Sequence, residues 1–446
     1  MSAASLLTPT GYRESFSGFT PEKAPSGLQW FHGLRQKAYE RFRSLGFPTR
    51  NMEPWKYVPL GSVLEGAFAP PRKVSPEKIE AAELERYFFS SPDENRLVFV
   101  NGTFCRELSS VSGLPKGVVY QPLSQALASS PESVRPYLGF SLADETNPFA
   151  VINAFCFRDG VFLFVPDETP VSSVFHVLWA GAGEESPIVF YPRILVVAGT
   201  RACARVVVTH AALPGADFFR SAVSEVYAGS GSKLEYLERG HGGQTKALSF
   251  AVTRFYLKEE SALNRFLFGE GGVLNRNETS VEFGGENASA FFKGFEVLKG
   301  RSQSFTHAGV CHRVPHCVSR QFYKGVLGGE SKSEFNSLVA VDKGAFGSDS
   351  NQLSRHLLLS DSAEGYARPQ LRIDTDDVSC IHGAAVGKLE KDELFYLRSR
   401  GLSKEEARWV LTCAFAEEAL EGLEPVEFRE RLRGWVRGEL KGMIRC

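Results

Sequence analysis

The stretch Ile194-Leu-Val-Val-Ala-Gly-Thr-Arg-Ala-Cys-Ala-Arg-Val-Val-Val208 places two short β-branched runs on either side of a Gly-containing turn. Short apolar runs bounded by Gly, Asn, Asp or Ser are typical of strands. Further runs lie at 96–100, 161–165 and 234–236. Too few helical patterns lie between them for alternating strand–helix units. The region from about 95 to 380 is therefore predicted to be mainly β.

One internal echo indicates a repeating architecture. Gly284-Gly-Glu-Asn-Ala-Ser-Ala-Phe291 is followed by Gly328-Gly-Glu-Ser-Lys-Ser-Glu-Phe335, an offset of 328 − 284 = 44 residues. Two coils of roughly 22 residues each would give that offset in a stacked β-solenoid. Because Gly-Gly-Glu is a common tripeptide, a β-sandwich or jelly roll stays open on pattern alone.

Helical segments flank this β region. Apolar residues recur at helical spacing from Trp30 to Leu45, and Gly46 follows them. Near the other end, residues 392–400 predict a short helix stopped by Gly401, and Ser403-Lys-Glu-Glu406 is typical of a capping box. The predicted division is an N-terminal helical region at 1–94, a β core at 95–387 and a C-terminal helical domain at 388–446.

Charge and composition limit the partners and the compartment. The 446 residues include 51 Lys+Arg and 52 Asp+Glu, so no basic surface for nucleic acid is predicted. No apolar run approaches the length of a membrane span, and the N-terminus lacks the features of a secretory signal. The 8 cysteines have no disulfide-type spacing, which predicts reduced thiols and a cytoplasmic location.

Catalytic motifs are missing from the sequence. There is no nucleotide-binding phosphate loop, no dinucleotide fingerprint and no Gly-x-Ser-x-Gly elbow, so no enzyme activity is predicted. The acidic residues Asp374, Asp376 and Asp377 are more typical of a solvated strand end than of an acid–base pair.

Two clusters combine thiols with imidazoles, the ligands that zinc and iron–sulfur chemistry prefer. The first holds Cys311, His312, His316 and Cys317 after His307, and it fits either a metal site or a strand–turn–strand with inward cysteines. In the second, a strand would send Cys380 and His382 out on one face. The alternative for that pair is a buried thiol and a hydrogen-bonded histidine.

A longer set of motifs resembles the core of the SufB/SufD family. It begins with Ser319-Arg-Gln-Phe-Tyr-Lys-Gly-Val-Leu327 and continues through Phe335-Asn-Ser-Leu-Val339. The later parts are Pro369-Gln-Leu-Arg-Ile373, Asp376-Asp-Val-Ser-Cys-Ile-His-Gly-Ala-Ala-Val-Gly387 and Phe395-Tyr-Leu-Arg-Ser-Arg-Gly401. Near the N-terminus, Glu53-Pro-Trp-Lys-Tyr57 is also similar, whereas residues 60–150 match poorly.

The resemblance implies a fold and an assembly. The expected fold is a right-handed parallel β-helix flanked by N- and C-terminal helical domains. The expected role is a non-enzymatic scaffold of SUF iron–sulfur cluster assembly. Such a chain pairs with a SufB-like subunit and docks a SufC-like ATPase, which alone binds ATP. A transient Fe–S cluster is shared with the SufB-like partner, and a homodimer in isolation is a further possibility.

Within the family the SufD branch fits better than the SufB branch. SufB proteins carry a cysteine in the segment corresponding to Ser354-Arg355-His356, and this chain has none there. The basic pair Arg355-His356 departs from the family pattern. Two interpretations stay open, namely that the pair is exposed decoration of the surface or that it alters the partner interface. The resemblance assigns His382 as the cluster or iron contact, with Cys380 as its neighbour, and an imidazole ligand raises a cluster's potential.

The same resemblance suggests the ATPase contact. Phe395, Tyr396, Arg398 and Arg400 are the predicted anchors, since aromatic residues and arginine dominate interface hot spots. The alternative to this ATPase contact is that Phe395 and Tyr396 pack the C-terminal helical domain onto the β body, and the sequence does not favour one over the other.

Three alternatives compete with the SufD-like prediction. One is a SufB-like main scaffold. Another is a β-helix carbohydrate-active enzyme using Arg372 with Asp374, Asp376 and Asp377, but most such enzymes are secreted. The third is a free-standing homodimeric adhesion or capping solenoid, since an open coil edge invites pairing.

Overall fold

Strands of similar length stack into two parallel sheets that form a β-solenoid of about 8 turns. The computed structural model describes residues 11–17, 19–22, 27–72, 79, 81–88, 95–242, 245–424 and 426–444. A mainly β chain with a solenoid core and helices on both flanks was predicted and is confirmed.

Twenty strands are found in the described residues. The first ten are β1 Asn95–Val100, β2 Thr103–Phe104, β3 Val119–Pro122, β4 Val161–Val165, β5 Pro170–Gly181, β6 Ile188–Phe190, β7 Arg193–Ala198, β8 Cys203–Ala212, β9 Phe218–Ala228 and β10 Lys233–His241. The second ten are β11 Leu248–Leu257, β12 Ala262–Gly269, β13 Leu274–Phe283, β14 Ser289–Leu298, β15 Gln303–His312, β16 Val318–Leu327, β17 Lys332–Val341, β18 Ser348–Leu358, β19 Glu364–Ile373 and β20 Val378–Gly387.

Even- and odd-numbered strands separate into the two sheets along most of the solenoid. Sheet one runs β2-β1-β5-β8-β10-β12-β14-β16-β18-β20, and sheet two runs β19-β17-β15-β13-β11-β9-β7-β4-β3 with β6 beside β9. Pairing is parallel except for β1 with β2 and β3 with β4. The space between the sheets is filled by stacked inward residues such as Phe175, Val206, Tyr236 and Phe292.

The predicted coil length of roughly 22 residues is wrong. Lys233 of β10 pairs with Ala262 of β12 one coil later, an offset of 262 − 233 = 29 residues. Gly284 follows β13 and Gly328 follows β16, so the 44-residue echo spans three strands, or one and a half coils. The echo misled because similar turns follow strands of both sheets.

Nine α-helices occur in the described residues. They are α1 Gln29–Leu45, α2 Gly61–Leu64, α3 Ala81–Glu85, α4 Leu123–Ser129, α5 Pro131–Val134, α6 Pro148–Cys156, α7 Lys391–Ser399, α8 Lys404–Glu417 and α9 Val426–Ile444. Short 3₁₀ turns lie at Glu14–Phe16, Glu53–Trp55, Arg106–Leu108 and Glu418–Leu420. None of the described helices is long and apolar enough to cross a membrane.

Local signals placed the flanking helices well. Gly46 ends α1 with φ +66° and donates its N–H to the Phe42 carbonyl. The capping box at Ser403 and Glu406 is formed in both directions at the start of α8. Helices α4 to α6 were not predicted and lie inside the range 95–387. The division at 94/95 and 387/388 stays a prediction.

The flanking helices cover opposite outer faces of the solenoid. Helices α1 and α6 pack on sheet two through Phe42, Phe149 and Phe155, which meet Phe219 and Phe250. Helices α8 and α9 pack on sheet one, where Leu420, Leu432 and Leu440 meet outward residues of β8 to β18. This leaves the last coil, with its strands β19 and β20, largely exposed.

Candidate cluster and partner sites

His382 lies in β20, the last strand of sheet one. Its register partner is Gln352 of β18, which in turn pairs with Gln321 of β16, and both glutamines are buried inside the solenoid. His382 therefore belongs to an inward row, but it is exposed because no further coil is described beyond it. No side-chain hydrogen bond joins it to another described residue, which differs from the hydrogen-bonded alternative.

Cys380 points to the same side of β20, two residues before His382. Its thiol packs against the apolar interior beside Val378. Burial raises the pKa of Cys380, and the nearby Asp349 carboxylate raises it further. Because thiolate is the form that binds metal, this environment makes Cys380 a weaker ligand candidate than His382.

The segment 354–356 also faces inward in part. Ser354 and His356 are buried, and His356 Nε2 lies 3.0 Å from Ser333 Oγ. Arg355 points outward and lies 3.5 Å from a carboxylate oxygen of Glu418. The basic pair is thus divided between the interior and the contact with the C-terminal helices. Surface decoration therefore does not describe it, and a role of the pair at the partner interface stays a prediction.

The first thiol–imidazole cluster is not brought together. His312 is buried with Nε2 at 2.9 Å from Ser319 Oγ, and Cys317 is in the apolar core. His316 lies in the turn against the Phe346 ring, while Cys311 pairs with Ala340 near the end of β15. No group of three metal-type ligands occurs in the described part of the chain. The inward-cysteine interpretation holds for Cys317 only.

The residues of the carbohydrate-enzyme alternative are at the surface. Arg372 forms ion pairs with Asp342 at 3.1 Å and Asp374 at 3.6 Å. Asp376 and Asp377 are exposed in the turn between β19 and β20. This arrangement is a solvated strand end of the kind expected from the sequence.

The predicted ATPase anchors lie on α7, a helix with no buried residue. Phe395 is 74% exposed and Tyr396 is 56% exposed, so neither packs onto the β body. The Arg400 guanidinium lies 5.4 Å from the Tyr396 ring centre, just beyond the end of the helix. Arg398 is also exposed, which leaves an aromatic–arginine surface open to solvent.

Polar anchors that the sequence did not reveal hold the C-terminal helices in place. The Lys324 ammonium, on the outer face of β16, donates to the Phe415 carbonyl at 2.7 Å and also pairs with Glu418. Trp435 of α9 donates its indole N–H to Glu270 at 2.8 Å. These contacts fix the base from which α7 projects.

Comparison with known proteins identifies the family. A model described as the SufBD core domain of SUF system FeS cluster assembly matches residues 180–415. The chain belongs to the SufBD family. A second model, for the SufBD protein N-terminal region, matches residues 20–177.

The SufBD relatives are similar to this chain over most of their length. The iron–sulfur cluster assembly protein SufD of Escherichia coli is 27% identical over 443 residues, which cover 95% of this chain and 99% of that protein. An iron–sulfur cluster assembly SufBD family protein of Synechocystis is 29% identical over 410 residues, covering 90% and 89%. SufD of Bacillus subtilis is 27% identical over 327 residues, covering 70% and 71%. Within the SufBD family the chain is SufD-like.

Proposed function

We propose that this chain is a non-enzymatic scaffold subunit of the SUF system, pairing with a SufB-like subunit and docking a SufC-like ATPase. The cluster is cargo that forms at the shared interface, and ATP is bound by the partner ATPase alone. The proposed location is the cytoplasm, and the seven described cysteines, all free thiols, fit a reducing compartment.

The observation that carries this proposal is the edge of β20. This strand is 10 residues long, and it contains no Pro, Lys, Arg, Asp or Glu. Natural proteins place such residues on exposed sheet edges, because these residues prevent the unpaired backbone groups from pairing with other chains. The free edge of β20 has none of them, which supports strand pairing with a partner.

His382 lies on that same edge strand, on its inward side. A partner strand beside β20 would bring its own inward side chains next to His382. Neutral imidazole is a known ligand of iron–sulfur clusters beside thiolates. We therefore propose that His382 contributes a ligand to the nascent cluster and that Cys380 supports it from the core.

The ATPase contact is proposed on α7. Aromatic residues and arginine are enriched at interfaces relative to the rest of the protein surface. Phe395, Tyr396, Arg398 and Arg400 meet that description, and α7 rests on α8 rather than on the solenoid.

The test is co-expression with SufB-like and SufC-like partners, purification by a tag on this chain, and quantification of subunits, iron and sulfide after anaerobic reconstitution. His382→Asn should form the complex normally and lose most of its bound iron and sulfide. The matched control is His316→Asn, at an exposed histidine in the turn before β16, and it should keep both. Full cluster content in His382→Asn would remove the ligand role, and failure of the wild-type chain to form a complex would remove the scaffold role.

A further inference from the structure

Two exposed tyrosines from distant parts of the sequence stack on each other beside the last coil. Tyr57 is 47% exposed and Tyr366 is 46% exposed. Their ring centres are 6.1 Å apart and the ring planes differ by 9°. Tyr366 belongs to β19, the last strand of sheet two, whereas Tyr57 follows the 3₁₀ turn at Glu53–Trp55.

The N-terminal partner in this pair is firmly anchored. Trp55 is buried, and its ring lies 3.9 Å from the guanidinium carbon of Arg276. Arg368 of β19 pairs with Glu53 and lies 5.3 Å from the Tyr57 ring centre. On its other side Arg368 reaches the buried Glu334 carboxylate at 3.1 Å.

Such anchoring matters for recognition. Ordering a loose side chain on binding costs conformational entropy, and a side chain that is already fixed avoids most of that cost. We call the surface formed by Tyr57, Tyr366 and Arg368 the tyrosine platform.

Strand β19 differs from β20 as an edge. It contains Pro369, which has no N–H to offer, and two arginines at 368 and 372. These are the features that discourage addition of a further strand. A partner chain can therefore bind the edge of sheet one through backbone hydrogen bonds to β20, whereas it would have to bind the edge of sheet two, at β19, through side-chain contacts.

Apolar exposure continues around the platform. Met52 is 41% exposed and Leu338 is 40% exposed. Leu338 lies on the same outward side of sheet two and pairs in register with Gln370 of β19. The three acids Glu53, Glu334 and Glu364 balance Arg368, Lys332 and Lys56, so no net charge selects a charged ligand there.

We propose that the tyrosine platform is the second half of the pairing interface, binding an apolar or aromatic side chain of the SufB-like partner while β20 pairs through its backbone. This rests on the proposed scaffold function. It gives the N-terminal region a direct part in subunit pairing. The platform adjoins the β19 edge, so a solenoid stacked end to end on this one would reach both surfaces.

The test measures the affinity of the purified SufB-like subunit for this chain by titration calorimetry. Tyr57→Ser and Tyr366→Ser should each weaken binding about tenfold or more, as truncated aromatic hot spots do. Tyr57→Phe, which keeps the ring, should retain wild-type affinity. Val273→Ser alters a residue of similar exposure between β12 and β13 and is the control.

Thermal unfolding of each variant accompanies the titrations, because a folded variant is required for the comparison. Wild-type affinity in both folded serine variants would overturn the platform and leave the scaffold function standing. If the wild-type chain itself does not bind the SufB-like subunit, both proposals fail. Weakened binding in the serine variants alone, with Tyr57→Phe and Val273→Ser unaffected, supports the platform.

Discussion

Burial keeps several histidines neutral inside the molecule, namely His176, His210, His312 and His356. Loss of hydration lowers the pKa of His356 to about 4 and that of His210 to about 4, from the ordinary value of 6.5. His356 is in register with Gly325 of β16. A Cβ atom added to Gly325 would lie 2.7 Å from the imidazole ring of His356. Gly325 therefore leaves the space that the ring occupies.

These histidines make stability depend on pH. Between pH 6.5 and pH 4 these histidines are protonated in the unfolded chain but stay neutral in the folded chain. The free energy of unfolding should therefore fall as the pH is lowered. Each such histidine contributes a slope of up to about 1.4 kcal/mol per pH unit in this window. Urea unfolding at a series of pH values measures the slope.

The variant His356→Gln tests one member of the set. The glutamine amide can still donate a hydrogen bond to Ser333, but glutamine does not titrate. The slope of the free energy of unfolding against pH should therefore decrease near pH 5 by the contribution of one proton, ~1.4 kcal/mol per pH unit. Above pH 7.5 the curves of the variant and the wild type should run parallel. An unchanged slope near pH 5 would contradict a neutral, buried His356.

At the scale of single elements, local chemistry predicted more than long-range pattern did. Runs at 96–100 and 161–165 fall on β1 and β4, because β-branched and aromatic residues between turns have few alternatives to a strand. The capping box at Ser403 is likewise a purely local device.

Features that depend on distant contacts were missed. Helix α6 is buried from Pro148 to Phe155 because α1 and sheet two cover it, and Asn153 is the one polar residue in that stretch, so it lacks the two-sided pattern of a surface helix. The stacking of Tyr57 on Tyr366 joins positions that are far apart in the chain. His382 and Cys380 could be placed on one strand face from their spacing, but not on the open end of a solenoid.

The start of α8 provides an element-scale prediction. Ser403→Ala removes the acceptor for the Glu406 N–H, and should lower the free energy of unfolding by about 1 kcal/mol. The control is Ser399→Ala, which removes an exposed hydroxyl bond to the Tyr396 carbonyl near the end of α7. Urea unfolding followed by Trp fluorescence compares the two, and equal losses would argue that the cap contributes nothing specific.

The two ends of the whole solenoid are built differently. At the first end the sheets stop with the two-residue strand β2 and the four-residue strand β3, both antiparallel to their neighbours. At the other end they stop with β19 and β20, each 10 residues long. A short, reversed strand offers little backbone to a partner, whereas β20 offers a full row of unpaired groups. Assembly is therefore expected at the C-terminal end of the solenoid.

The same edge predicts the behaviour of the isolated chain. Without a partner, two copies can pair through β20 about a twofold axis, so the purified protein should shift from monomer to dimer as its concentration rises. Ile381 is 60% exposed on the outward side of β20, and Ile381→Lys adds the charge that guards natural edges. This variant should stay monomeric at concentrations where the wild type dimerises, whereas Val273→Lys, at a 43% exposed site away from the edge, should dimerise normally. Light scattering coupled to size-exclusion chromatography distinguishes these outcomes. A dimer that survives Ile381→Lys would place self-association on another surface, and the β20 edge would then have to be tested with the SufB-like partner alone.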